Sequence, residues 1–127
     1  MTRRILAAVA VLVLLGGCTE GPAGRRRLYP TTGPYVVTAI DYHFHDAHPS
    51  EPISLDRPLQ FSNQGRNLHN VTIPGTDVDR NIRPGVRVTY EPVGSLFDAP
   101  GRYPFYCELH RDRAMSGVLV VVSGDND

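Results

Sequence analysis

The sequence predicts an all-β domain, an antiparallel β-sandwich or barrel of about seven strands. Two observations carry this. Short apolar stretches recur at 35–44, 53–55, 59–62, 70–73, 86–90, 101–107 and 118–122. Glycine and proline punctuate them, at Pro74-Gly75, Pro84-Gly85 and Pro100-Gly101. Short strands separated by turn signals are the pattern of sandwiches and barrels. No stretch downstream of residue 17 holds a helical apolar period over three turns, and 76–81 is expected to form a short helical turn at most.

Strand parity adds detail, because successive side chains alternate faces. Within 101–107, Tyr103, Phe105 and Cys107 share one face, and Pro104 and Tyr106 share the other. The aromatic pair marks the core side, so Cys107 points inward at the strand's end. His110 and Met115 then fall on the loop that follows. His69 opens the strand at 70–73. The segment 118–122 is apolar on both faces, as expected for a central strand.

The N-terminal segment reads as targeting. Met1-Thr2-Arg3-Arg4 is a positive start, and Ile5 to Leu15 is an uninterrupted apolar run. A bilayer span needs about 20 residues, so the run is short for one. A charged start, a short apolar core and small residues after it describe a secretory signal over residues 1–17. The exit, Leu15-Gly16-Gly17-Cys18, resembles a bacterial lipobox, which implies a mature chain that begins at a lipidated Cys18. An ordinary signal with a coincidental Cys18 is the other reading.

The chain has two cysteines. With Cys18 acylated, Cys107 is the only thiol of an exported protein, and metal ligation would explain its retention. Without residues 1–17 the chain keeps 11 arginines, no lysine and 13 acids, a net charge of −2. That is not a nucleic-acid-binding balance. Residues 18–34 lack an apolar period and read as a flexible tether. Its run Arg25-Arg26-Arg27 either meets anionic headgroups or keeps the tether solvated. Residues 35–124 form one domain.

The chemistry concentrates in His69, Cys107, His110 and Met115. One thiolate, two imidazoles and one thioether suit copper better than other common metals. Two His and one Cys, with a weak axial Met, is the blue-copper ligand set. A structural zinc site also uses Cys and His, but it rarely recruits Met and no fourth hard or thiolate ligand is evident. Met115 also reads as core packing before a strand.

These residues carry a family resemblance. Leu68-His69-Asn70-Val71, Pro100-Gly101-Arg102-Tyr103-Pro104-Phe105-Tyr106-Cys107 and the loop from Cys107 to Met115 are similar to the cupredoxins of plastocyanin and pseudoazurin type. The resemblance implies a Greek-key fold and one Cu(I)/Cu(II) ion. In it, His69, Cys107 and His110 are strong ligands, Met115 is the axial one, and Asn70 braces the ligand loop. It also implies single-electron shuttling between redox partner proteins, with no small-molecule substrate and no enzymatic activity. With the lipid at Cys18, the protein is expected at the extracytoplasmic face of a bacterial membrane, in the periplasm or at the cell surface. Copper storage or delivery through the same ligands is the alternative, and a metal-free adhesion domain is a third.

Two features depart from the family pattern. Arg111-Asp112-Arg113 follows His110, which suggests docking to an acidic partner patch. Tyr106 reads as a second electron exit or simply as an exposed aromatic. Upstream, parity puts His43 and His45 on one face and Tyr42 and Phe44 on the other. With His48 they form a candidate second metal site or a set of solvated surface histidines.

Overall fold

The computed structural model describes residues 33–46 and 51–124. Among these, nine strands form two sheets packed face to face. They are β1 (Tyr35–Ile40), β2 (His43–Asp46), β3 (Ile53–Ser54), β4 (Leu59–Asn63), β5 (His69–Thr72), β6 (Asp79–Ile82), β7 (Arg87–Tyr90), β8 (Gly101–Tyr106) and β9 (Ser116–Val122). One sheet runs β2-β1-β4-β7 and the other β3-β9-β8-β5-β6. The all-β sandwich expected from the apolar spacing is therefore present.

Three details differ from the sequence reading. The stretch 35–44 is two strands, because Asp41 takes a left-handed φ of 51° and turns the chain back. Aspartate tolerates that conformation better than most residues. The segment 76–81 does not form a helical turn: Asp79–Ile82 is a polar edge strand paired with β5. Its exposed Asp79, Arg80 and Asn81 hide it from any search for apolar runs. The sheets are also mixed rather than purely antiparallel, since β1 pairs with β4 and β3 with β9 in parallel.

Alternation fills the space between the sheets. Tyr35, Val37 and Ala39 of β1 are buried, as are Leu59 and Phe61 of β4 and Leu119 and Val121 of β9. In β9 the opposite face is partly open: Val118 and Val122 are exposed, although the strand lies inside its sheet between β3 and β8. Phe105 of β8 sits at the centre. Its ring meets Phe61 at 5.5 Å and Phe44 at 4.9 Å, both edge to face. Such aromatic pairs add about 0.5–1.5 kcal/mol beyond their buried area. The neighbouring strand must leave room for that ring. A Cβ at Gly117 would lie 2.4 Å from Phe105 Cζ, so only glycine fits there.

A second, smaller buried cluster joins Ala39, Cys107 and Met115, with Phe44 against it. It marks the pole where the candidate site lies.

Candidate metal centre

Cys107 lies one residue beyond β8, and a 3₁₀ segment, Glu108–Arg113, carries the chain to β9. The β8–β9 pairing closes this loop at Tyr106 and Ser116. The Cys107 N–H donates to the Met115 carbonyl at 2.9 Å, and the His110 N–H donates to the Cys107 carbonyl at 3.2 Å. Ala114 makes the exit with a left-handed φ of 53°. A short hairpin loop tied at its neck thus fixes three sequence-predicted residues relative to one another.

His69 arrives from the other side, as the first residue of β5. Its approach is set by Asn63, which is fully buried. The Asn63 amide donates to the Asn67 and Ile82 carbonyls, both at 2.8 Å, and its Oδ1 accepts from the Gly65 N–H at 2.9 Å. Gly65 is held close by this turn. A Cβ there would meet the Asp41 amide nitrogen at 3.0 Å and His69 Nε2 at 3.4 Å.

The result is a convergence of donors. One ligand atom each from His69, Cys107 and His110 lie within 4.8 Å of one another, close enough to hold a metal ion. Cys107 Sγ is 3.3 Å from His110 Nδ1, and the two imidazole centroids are 5.1 Å apart. Cys107 and His69 have no exposed surface, while His110 is half-buried. Met115 is buried and packs with Cys107.

His69 tests whether a metal fits. Both of its ring nitrogens are buried without a hydrogen-bond partner. A buried polar group left unpaired costs about 1–3 kcal/mol. A cation on one nitrogen would relieve that cost. Burial pushes the His69 imidazole below its ordinary value; the neighbouring His110 adds to this and Asp41 opposes it. The neutral form with a free lone pair is the one that binds metal.

The thiol is braced too. The Asn70 backbone N–H donates to Cys107 Sγ at 3.3 Å. Asn70 Oδ1 accepts from the Glu108 N–H at 3.3 Å, so one side chain spans β5 and the ligand loop. Its amide donates to Asp79 at 2.9 Å and to Asn81 at 3.1 Å, and Thr72 Oγ1 donates to Asn70 Oδ1 at 2.7 Å.

No protein-family model matches the sequence, and no curated protein matches it significantly. Solved structures do match. A mutant plastocyanin of fern superposes with a TM-score of 0.52 at 21% identity, over 68% of this chain and 98% of that one. An amicyanin variant in its reduced Cu(I) form gives 0.55 at 19% identity, over 71% and 83%. The chain has the cupredoxin fold. The Cu-containing nitrite reductase of Thermus scotoductus SA-01 also superposes, at 0.55 and 17% identity, but this chain spans 22% of it.

Within this cupredoxin fold, the sequence reading named Asn70 but missed the other supporting residues. Asn63 and Gly65 form an Asx-type turn, and the Asn-x-Gly spacing is its sequence signal. Asp79 and Asn81 sit on the unforeseen β6. Tyr42 carried no signal at all, yet its ring meets His110 edge to face at 5.0 Å. Arg113 stacks on Tyr42 at 4.4 Å and Arg111 on Tyr106 at 4.2 Å. Arg111 pairs with Glu108 at 2.8 Å and Arg113 with Asp112 at 3.6 Å. Tyr42 and Arg113 thus flank His110, and Arg111 with Tyr106 forms a second stacked pair.

His43 and His45 are exposed and stay away from this cluster, with ring centroids 6.1 Å apart. His48, Cys18 and the tether at 18–34 lie outside the described residues, except for Gly33 and Pro34 at its end. Among the described residues no helix is long and apolar enough to cross a membrane.

Proposed function

We propose that this protein is a single-electron carrier with one mononuclear type I copper ion, held by His69, Cys107 and His110, with Met115 as the weak axial donor. The observation that carries the reading is His69: a fully buried imidazole without a partner, facing a thiol and a second imidazole. A copper ion there would supply a one-electron couple. The protein's own contribution is rigidity. The hairpin neck holds Cys107, His110 and Met115, and the Asn63 turn holds His69, so little need move between oxidation states. The Asn70 N–H on Sγ would draw charge from the thiolate and help set the potential.

Burial favours a carrier over copper delivery. His69 and Cys107 have no exposed surface, and His110 alone is partly open. Release of the ion would require the pole to open, whereas an electron could leave through the His110 edge. The Arg111 and Arg113 rim would meet an acidic patch on a redox partner. Anchoring through a lipidated Cys18, with 18–34 as tether, would keep the carrier at the extracytoplasmic membrane face.

Visible spectroscopy of copper-loaded protein tests the centre. An intense thiolate-to-copper charge-transfer band is expected, together with its complete loss in Cys107→Ser. Colourless parent protein after cupric loading would overturn the reading. Retention of copper through repeated oxidation and reduction separates a carrier from a delivery protein. For the anchor, Cys18→Ala should move the protein from the membrane fraction to the soluble one; unchanged fractionation would refute lipidation.

A further inference from the structure

We propose that His43 and His45 form a second metal site, a surface chelate for one Cu(II) ion, separate from the Cys107 centre. The site is built by the strand itself. β2 is an edge strand of its sheet, so among the described residues no strand pairs with its other side. Residues two apart on a strand project from the same face, with Cα atoms about 6.8 Å apart. Phe44, between the two, is pinned inward against Phe105 at 4.9 Å. That contact and the ladder to β1, with His43 opposite Ile40 and His45 opposite Thr38, force both imidazoles outward.

Both imidazoles are free to bind. Among the described residues neither makes a hydrogen bond or an ion pair, and the two ring planes are tilted by 42° to one another with centroids 6.1 Å apart. The buried pair His69–His110, whose nitrogens face a common point, sits at 5.1 Å. Exposed side chains can close that difference by rotating about their own torsions, with no change in the backbone.

The donors select the ion. Two imidazoles with water completing the shell favour Cu(II) over Zn(II), Ni(II) and the lighter divalent ions of the first row. The thiol at Cys107 is fully buried in the other cluster, so this site offers no sulfur. A Cu(II) ion here would be tetragonal with nitrogen and oxygen ligands, and it would lack the intense thiolate charge-transfer band. The site gives an exported protein a place to capture cupric ion at its surface, whatever the buried centre holds.

Titration with a cupric salt decides it, followed by electron paramagnetic resonance and calorimetry. Parent protein already carrying one copper equivalent should take a second, with an ordinary tetragonal signal and no gain in the intense visible band. His43→Ala and His45→Ala should each weaken that second equivalent at least about tenfold, since even loss of an outer partner of a ligand costs that much. The double variant should abolish it. The second equivalent should persist in Cys107→Ser, which makes the result independent of the buried centre. The proposal is overturned if the parent stops at one equivalent or if the double variant binds as the parent does. Loss of the second equivalent in Cys107→Ser, or in His48→Ala with His43 and His45 unchanged, would also overturn it.

Discussion

The molecule carries two histidine pairs that share a residue type and little else. His69 and His110 are 41 positions apart in sequence and meet only because two strand ends and a hairpin loop converge. His43 and His45 are neighbours on one strand and need no tertiary structure beyond an edge. The first pair is held at 5.1 Å beside a thiol, with His69 fully buried and unpaired. The second is solvated, with its rings 6.1 Å apart. Burial is the difference that matters. The fold has spent desolvation on His69 that a ligand can return, while His43 and His45 stay hydrated with or without one. Metal should therefore couple strongly to folding at the buried pair and weakly at the surface pair.

The largest expected effect breaks or upholds that contrast directly. Ligand at 100 times its Kd stabilises a fold by about 2.7 kcal/mol, and for a domain of this size each kcal/mol raises Tm by about 4–8 °C. Free copper at 100 times its Kd should thus raise Tm by about 10 °C or more in calorimetry. His69→Ala should remove that rise. The double variant His43→Ala/His45→Ala should keep it within a few degrees. An equal loss in both would show that the two pairs are not energetically distinct.

Acid should separate the pairs next, in metal-free protein. Burial holds the folded His69 below its ordinary value of 6.5, so below that pH the unfolded chain binds a proton the folded one resists. Stability from this residue is present above about pH 6.5 and is lost as pH falls toward the folded value. The slope cannot exceed about 1.4 kcal/mol per pH unit for one proton. Denaturant midpoints measured between pH 7.5 and 5 should fall more steeply in the parent than in His69→Gln. Coincident profiles would mean that His69 is not held neutral by burial.

The contrast also explains what was legible in the chain. The convergence of His69, Cys107 and His110 could be read because their chemistry is unusual in combination, and the placing of Met115 beside Cys107 because the spacing between them is local. Parity correctly placed Cys107 and Phe105 inward and Tyr106 outward, since alternation is a property of the strand itself. The same rule put His43 and His45 outside. What escaped was polar. β6 is exposed at Asp79, Arg80 and Asn81, so it left no apolar trace. The break at Asp41 depends on one backbone torsion. Tyr42 reaches His110 only through that turn, a tertiary consequence that no local pattern announces. The parallel pairings of β1 with β4 and β3 with β9 likewise depend on how distant segments are threaded.

The smallest expected effect tests the polar support that the buried pair has and the exposed pair lacks. The Asp79 carboxylate accepts from the Asn70 amide at 2.9 Å and from Thr72 Oγ1 at 3.3 Å. Asn70 in turn places its backbone N–H on Cys107 Sγ. Removing the carboxylate with Asp79→Ala leaves Asn81 still holding the Asn70 amide at 3.1 Å. The cost in stability should be near that of one hydrogen bond, about 0.5–1.5 kcal/mol, in a denaturant midpoint. The more telling readout is the charge-transfer band of the copper-loaded protein. A small shift in its position would show that Asp79 reaches the sulfur through Asn70, whereas Asp79→Asn, which keeps an acceptor oxygen, should restore the parent value. Surface chelation at His43 and His45 should not respond to either change, because no hydrogen bond of this network reaches β2. A band that stays fixed in Asp79→Ala while stability falls would confine Asp79 to tying β6 to β5.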